Sequence, residues 1–387
     1  MSLLPRKHVM PSYHGGIDYA ELERLDISPE EVLDFSANLN PFGPPPKVIE
    51  ALCQYLCEPH CHCKGHIHFV QCKLRPEAIS HYPDSQARQL RQRLSEKLGV
   101  KEENIVVGNG STELIRLATL AYFGRGDRVL IIEPTFGEYK VACQIAGASV
   151  KKQQLSAENA FQLNIDETIN LIRRHRPKGI FIANPNNPTG RYLFQAEFEK
   201  LLNASQDSLV VLDEAYISFA ENSWSSLDMV KASNLLILRS MTKDYALAGL
   251  RLGYGVANEE IIAALRRICP PWNVNALAQK AGIVALENEE YLRHCQAKIK
   301  EAKQYLVTEL SCLGLTPLPS EASFFLVKVG DAKAFRFELL KRKMLVRDCT
   351  SFGLPEYVRI APRTPPECQK LVAAIKEIIK DRRRINS

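Results

Sequence analysis

The sequence predicts an α/β protein: a mostly parallel sheet with helices on both faces, followed by a smaller α+β domain. Three observations lead there. From about residue 104 to 257, short apolar β-branched runs alternate with amphipathic helical runs, and that alternation builds parallel sheets covered on both faces. From about 290 to 312, Leu292, Cys295, Ile299, Ala302, Leu306 and Leu310 recur on one face of a long helix. Beyond the stop signals Gly314 and Pro317 the alternation does not resume, and Ser323–Lys328, Leu345–Ile360 and a last helix over Pro366–Ile379 form a different, smaller unit.

Taken in order, residues 1 to about 45 are rich in Pro and Gly and read as an arm with one short strand. The strand candidates are Asn104–Val107, Arg128–Glu133, Gly179–Ala183, Ser208–Asp213, Leu235–Arg239 and Leu252–Val256. Helical runs lie between them, such as Thr112–Phe123, where Leu114, Leu117, Ala118 and Ala121 share a face. The expected division is an N-terminal arm and small-domain strand (1–45), a large domain (46–290) and a small C-terminal domain (291–387).

Composition limits the function classes. Across 387 residues, 45% hydrophobic and 24% charged is ordinary globular usage, which excludes a disordered, collagenous or disulfide-scaffold protein. The apolar runs are strand-sized, far short of a membrane span, and the N-terminal stretch holds no signal-peptide core. The expectation is a soluble cytoplasmic protein. Lys and Arg number 50 against 44 Asp and Glu, and the small excess is dispersed apart from Lys380–Arg384. A nucleic-acid binder concentrates its charge on one face; dispersed cations suit a small anionic substrate better.

In a parallel sheet ligands bind beyond the carboxyl ends of the strands, so the residues there carry the chemistry. Gly108-Asn109-Gly110-Ser111-Thr112 precedes a helix and offers free backbone N–H groups as an anion cradle. Phe136 follows the next strand. Asn184-Pro185-Asn186-Asn187-Pro188-Thr189-Gly190 is a rigid turn rich in amides. Asp213-Glu214-Ala215-Tyr216 places an acid on the end of an apolar strand, which is costly without a cation beside it. Arg239-Ser240-Met241-Thr242-Lys243 follows, with Arg251 eight residues beyond the lysine. Together these supply what pyridoxal phosphate needs: a lysine for the aldehyde, an acid for the ring nitrogen, an aromatic over the ring, a donor to the phenolic oxygen and a phosphate cradle with an arginine.

The segments NPNNPTG, VVLDEAY and SMTKDYALAGLRLGYG resemble the fold type I pyridoxal-phosphate enzymes of the aspartate-aminotransferase superfamily, and more narrowly the histidinol-phosphate aminotransferase branch. The resemblance runs from about residue 14 to 380. It implies a seven-stranded, mostly parallel sheet and pyridoxal 5'-phosphate as cofactor. It implies roles as well: Lys243 holds the aldehyde, Asp213 the ring nitrogen, Tyr216 and Asn187 the phenolic oxygen, and Phe136 stacks on the ring. Gly110, Ser111, Thr112, Ser240 and Arg251 match the phosphate cradle. Tyr82 matches a tyrosine that reaches the cofactor phosphate of the neighbouring subunit, which implies a homodimer with shared sites. Arg359 matches the arginine for the substrate carboxylate.

Within the branch, Tyr13-His14-Gly15-Gly16, the run Asp34–Pro41, the run Pro271–Ala278 and the set Arg347, Arg359 and Arg363 resemble the L-threonine-O-3-phosphate decarboxylases of cobalamin biosynthesis. The expected function is therefore a lyase acting on threonine phosphate or serine phosphate. Arg347 is the candidate for the substrate phosphate, with His14 and Asn38 near it, and Arg363 is either a second anion contact or a solvated charge. The alternative is histidinol-phosphate aminotransferase. A non-catalytic regulator on the same fold is a third reading, and the joint presence of Lys243, Asp213, Arg251 and Arg359 argues against it.

One segment departs from the family pattern. Residues 57–79 form an insertion rich in Cys and His, with Cys57, Cys61, Cys63, His66 and Cys72 as candidate ligands. Such donors suit zinc or an iron–sulfur cluster, but the spacing fits no standard finger, and the plainer reading is an insertion with incidental residues. No metal is assigned. The 11 cysteines follow no disulfide framework.

Overall fold

A computed structural model describes residues 9, 11–57, 74–221 and 223–385. Among the described residues thirteen strands appear in chain order: β1 (Leu33–Asp34), β2 (Ile105–Asn109), β3 (Arg128–Glu133), β4 (Ser149–Gln154), β5 (Gly179–Ala183), β6 (Leu209–Asp213), β7 (Leu235–Ser240), β8 (Leu252–Ala257), β9 (Thr316–Pro317), β10 (Phe325–Lys328), β11 (Met344–Leu345), β12 (Arg347–Asp348) and β13 (Tyr357–Ile360).

Seven of them form the large sheet, in the order β2-β8-β7-β6-β5-β3-β4. All pairings are parallel except those of β8, which runs antiparallel to both β2 and β7. Strands buried on both faces read as continuous apolar runs, and alternate residues supply two separate cores. Ile180, Ile182, Val210, Leu212 and Ile237 face one; Phe181, Val211, Leu236 and Leu238 face the other. The first core is closed by the helices Pro46–Leu56, Arg88–Leu98 and Ala276–Leu286, the second by Ser111–Tyr122, Glu138–Ala146 and Glu259–Ile268. A fully buried leucine such as Leu212 contributes about 1.5–3 kcal/mol.

The sequence pattern and the structure part company at two strands. The edge strand β4, SVKKQQ, is mostly exposed; with no apolar face to bury, it carries no periodic signal. Leu252–Val256 reads as one more member of the parallel alternation, yet the strand it forms, β8, is antiparallel to both neighbours. No helix intervenes between β7 and β8, and a parallel return needs a crossover that a short loop cannot make.

The smaller unit has a four-stranded antiparallel sheet, β12-β13-β10-β9, and a parallel pair, β1 with β11. Its core joins Phe35 to Leu306, Leu310, Phe325, Val327, Val358 and Leu371, so the segment around β1 packs with the C-terminal elements. The long helix spans Glu289–Cys312 and buries Cys295, Ile299, Ala302, Leu306 and Leu310. Gly314, at φ +82°, turns the chain out of it. Among the described residues no helix is long and apolar enough to cross a membrane.

Candidate active site

Because β2, β3, β5, β6 and β7 are parallel, their carboxyl ends share one edge of the sheet. A cleft of about 890 Å³ opens there, lined by Lys243, Tyr216, Asn187, Phe136, Arg347 and Arg359 among others. A deeper recess of about 70 Å³ adds Asp213, Ser111 and Ser240, and shares Thr112, Phe136, Asn187, Tyr216, Lys243 and Arg251 with the cleft. Strand ends far apart in sequence thus supply one continuous site.

At its floor Asp213 ends β6, only 5% exposed. Its Oδ2 accepts from the Tyr139 hydroxyl at 2.7 Å and its Oδ1 from the Ala215 N–H at 3.0 Å. Burial pushes the carboxyl pKa upward, opposed by these two donors and by the charge of Lys243. Lys243 makes no ion pair among the described residues, and its Nζ lies 5.9 Å from the Tyr216 ring centre. The Tyr216 hydroxyl accepts from Asn38 Nδ2 at 3.2 Å, while Asn38 Oδ1 is buried without a partner.

The anion cradle is a matter of close approach. Gly110, at φ +75°, precedes the helix Ser111–Tyr122, and a Cβ there would stand 2.6 Å from an Arg251 guanidinium nitrogen. Only glycine lets the arginine lie against the first turn, whose N–H groups have no partner within the helix. The Ser240 hydroxyl sits 2.6 Å from that of Thr242.

Arg347 and Arg359 face each other across β12 and β13. Arg359 is 4% exposed; it donates to Asn187 Oδ1 and, at 2.7 Å, to the Ser36 carbonyl, and its Nε has no partner. Arg347 donates to the Tyr13 carbonyl at 2.8 Å and to Ser351 Oγ at 2.7 Å, and its Nε is likewise unpaired. Burial lowers the pKa of both, and in Arg347 the neighbouring Arg359 adds to it. Neither meets a carboxylate among the described residues. A buried and a half-buried cation side by side without a counter-ion are expensive, and an anionic ligand is their natural complement.

The other expected residues fall as follows. His14 lines the cleft with its Nε2 3.1 Å from Glu138 Oε1. Arg363 does not line the cleft: it donates to Glu367 at 2.9 Å and to the Asp34 carbonyl at 3.3 Å, as an i,i+4 pair at the start of the last helix. Tyr82 is 76% exposed, outside the cleft, and stacks on Trp272 at 4.1 Å. Cys57 is buried at an isolated bridge to Leu74; Cys61, Cys63, His66 and Cys72 lie outside the described residues. Among the described residues no group of His, Cys, Asp or Glu is arranged to hold a metal.

Sequence reasoning missed Tyr139 and Glu138. Tyr139 holds Asp213, and Glu138 bridges His14 and Arg116 on the cleft wall. Their nearness to Phe136 in sequence was the available signal, but their partners lie on other elements.

The residues present fit pyridoxal phosphate. A buried acid lacking a cation faces a recess that also holds a lysine, and a glycine-gated arginine lies at a helix start. Fold and site together define a fold type I pyridoxal-phosphate enzyme, and pyridoxal 5'-phosphate is its cofactor. The chain belongs to the family described as Aminotransferase class I and II, which matches residues 30–375.

A curated relative named histidinol-phosphate aminotransferase, from Moorella thermoacetica, is 34% identical over 95% of this chain and 90% of its own length. Seven further relatives, 30 to 41% identical, carry the same enzyme name. Among solved structures, the histidinol-phosphate aminotransferase from Clostridium acetobutylicum matches with a TM-score of 0.79 and 27% identity, covering 90% of this chain and 100% of that one. The L-threonine-O-3-phosphate decarboxylase from Porphyromonas gingivalis matches with a TM-score of 0.76 and 29% identity, covering 89% and 99%.

The run of aminotransferase relatives overturns the expected lyase. Decarboxylation of threonine or serine phosphate, and with it a place in cobalamin biosynthesis, is not the reading these relatives support. The physical reason is that the features taken as distinctive are anion-binding arginines and polar turns. Any enzyme of this fold that takes a phosphorylated amine has use for them, whichever bond it breaks.

Proposed function

We propose that the chain is an aminotransferase that moves the amino group of histidinol phosphate to 2-oxoglutarate. The observation that carries this reading is the pair of buried Arg359 and half-buried Arg347, lining the cleft without acids, in a chain whose relatives bear that name. Charge-assisted bonds from a guanidinium suit both phosphate and carboxylate. Arg347 takes the phosphate of the amine, and Arg359 the carboxylate of the amino acceptor.

Lys243 would hold the cofactor aldehyde, Asp213 its ring nitrogen, and Tyr216 with Asn187 its phenolic oxygen. Phe136 would lie on the ring, and Gly110, Ser111, Thr112, Ser240 and Arg251 would take its phosphate. When bound, the cofactor supplies an electron sink for the bond broken at the substrate Cα. Lys243 Nζ would take and return the Cα proton, since it lines both the cleft and the recess below it. Arg347 would anchor the amine by its phosphate and Arg359 the acceptor by its carboxylate, each so that the reacting carbon faces that amine.

Tyr82, exposed and outside the cleft of its own subunit, completes the site of a neighbouring copy in a homodimer. The working division is an arm (1–45), a cofactor domain (46–290) and a small domain (291–387), in a cytoplasmic enzyme.

The test is incubation of the loaded enzyme with histidinol phosphate and 2-oxoglutarate. Glutamate and the corresponding ketone phosphate should appear in equal amounts. Carbon dioxide from threonine phosphate, with no glutamate from histidinol phosphate, would refute the reading.

A further inference from the structure

Tyr139 is 1% exposed and is the second residue of the helix Glu138–Ala146 that follows Phe136. Its ring stacks on Phe181 at 4.8 Å and 11° and meets Phe136 edge-on at 5.7 Å and 82°. A phenylalanine would fill that space equally well. The hydroxyl is what distinguishes tyrosine here, and it donates to Asp213 Oδ2 at 2.7 Å. The other carboxylate oxygen has the Ala215 N–H, so each oxygen is fixed by one donor. A hydroxyl stabilises a buried carboxylate without neutralising it, whereas a cation would compete with a positively charged ligand. Burial and then Asp213 raise the pKa of the Tyr139 hydroxyl well above its ordinary value, so it stays a donor.

We propose that Tyr139 is a positioning residue for the cofactor: its hydroxyl aims Asp213 and holds it ionised toward the ring nitrogen, while its ring braces Phe136. The proposal rests on the assignment of Asp213 made above.

The experiment compares wild type, Tyr139→Phe, Tyr139→His and Asp213→Asn, each reconstituted with pyridoxal phosphate. Two quantities are read: the equilibrium dissociation constant of the cofactor and the pH midpoint of its visible absorbance. A lost hydrogen bond to a charged group corresponds to about tenfold to a hundredfold, so Tyr139→Phe should weaken cofactor binding by about that factor. It should also shift the midpoint in the same direction as Asp213→Asn, and by less. Tyr139→His, which retains a ring N–H donor, should recover part of both.

Tyr139→Phe with an affinity within about twofold of wild type and an unmoved midpoint would overturn the proposal. If Asp213→Asn itself binds and titrates as wild type does, the assignment of Asp213 fails and the proposal with it. Should the phenylalanine variant not fold, Tyr139→His decides. Partial retention of both quantities supports the donor role, and their loss in a protein with native circular dichroism refutes it.

Discussion

Replacing Arg347 with alanine separates substrate recognition from folding. Its two hydrogen bonds run to neutral oxygens, the Tyr13 carbonyl and Ser351 Oγ, and no carboxylate loses its cation when it goes. Such bonds contribute about 0.5–1.5 kcal/mol each in a partly solvated setting. Removing an uncompensated, half-buried charge also returns some of their sum, so stability should change by less than about 2 kcal/mol. Toward a phosphate the same guanidinium is worth far more: truncating one member of a buried charged pair costs about 2–5 kcal/mol. At about 1.4 kcal/mol per tenfold, kcat/KM for histidinol phosphate should fall by a factor of about 30 to several thousand. Unphosphorylated histidinol should be affected by only a few fold. The assay is glutamate formation from 2-oxoglutarate with each amine. Equal losses on both would show that Arg347 does not read the phosphate.

Three other outcomes follow from the geometry. Lys243→Ala should abolish the borohydride-stable attachment of cofactor to the chain; label retained on the alanine variant would place the aldehyde elsewhere. If Tyr82 and Arg251 act on one phosphate from two subunits, mixing the impaired variants Tyr82→Phe and Arg251→Ala under subunit exchange should restore activity through heterodimers with one intact site, and no recovery would contradict shared sites. Asp244, beside the lysine, is a partly buried acid whose carboxyl is raised from 3.8 to about 6 by loss of solvent. The folded state therefore binds more protons than the unfolded state between those values, and stability contributed below pH 4 is lost as pH rises through 6. Asp244→Asn should gain relative to wild type across that window, by up to about 3 kcal/mol, as read by denaturant unfolding at pH 4 and pH 7.

Much of this was legible in the residues because the central strands are apolar throughout and their ends carry the chemistry. Arg128–Glu133 and Gly179–Ala183 read from sequence with the bounds they have in the structure. What escaped was non-local. A strand pattern carries no direction, so the reversal of β8 was invisible, and an exposed polar edge such as β4 has no periodicity to find. The bond from Tyr139 to Asp213 joins residues 74 apart; neither has a local feature announcing the other. The choice of reaction was hidden for another reason. Arg347 and Arg359 advertise an anion, not the bond to be broken, and relatives were needed to separate transfer from decarboxylation.

The reversal of β8 has a mechanical consequence. Ser240 pairs with Gly253 across the β7–β8 ladder, and the Met241 N–H bonds to the Leu252 carbonyl at 3.1 Å. The segment carrying Lys243 and Arg251 is therefore a loop pinned at both feet. Within it the Leu247 N–H reaches the Met241 carbonyl and the Arg251 N–H the Leu247 carbonyl, so the span is braced from inside as well. The amine and the guanidinium sit on the two arms of one calliper whose opening is set by main-chain hydrogen bonds rather than by the side chains nearby. Composition within the loop is then freer than its length. One residue inserted between Met241 and Arg251 would reset the gap between the two groups, while the sheet that clamps its feet stayed as it was.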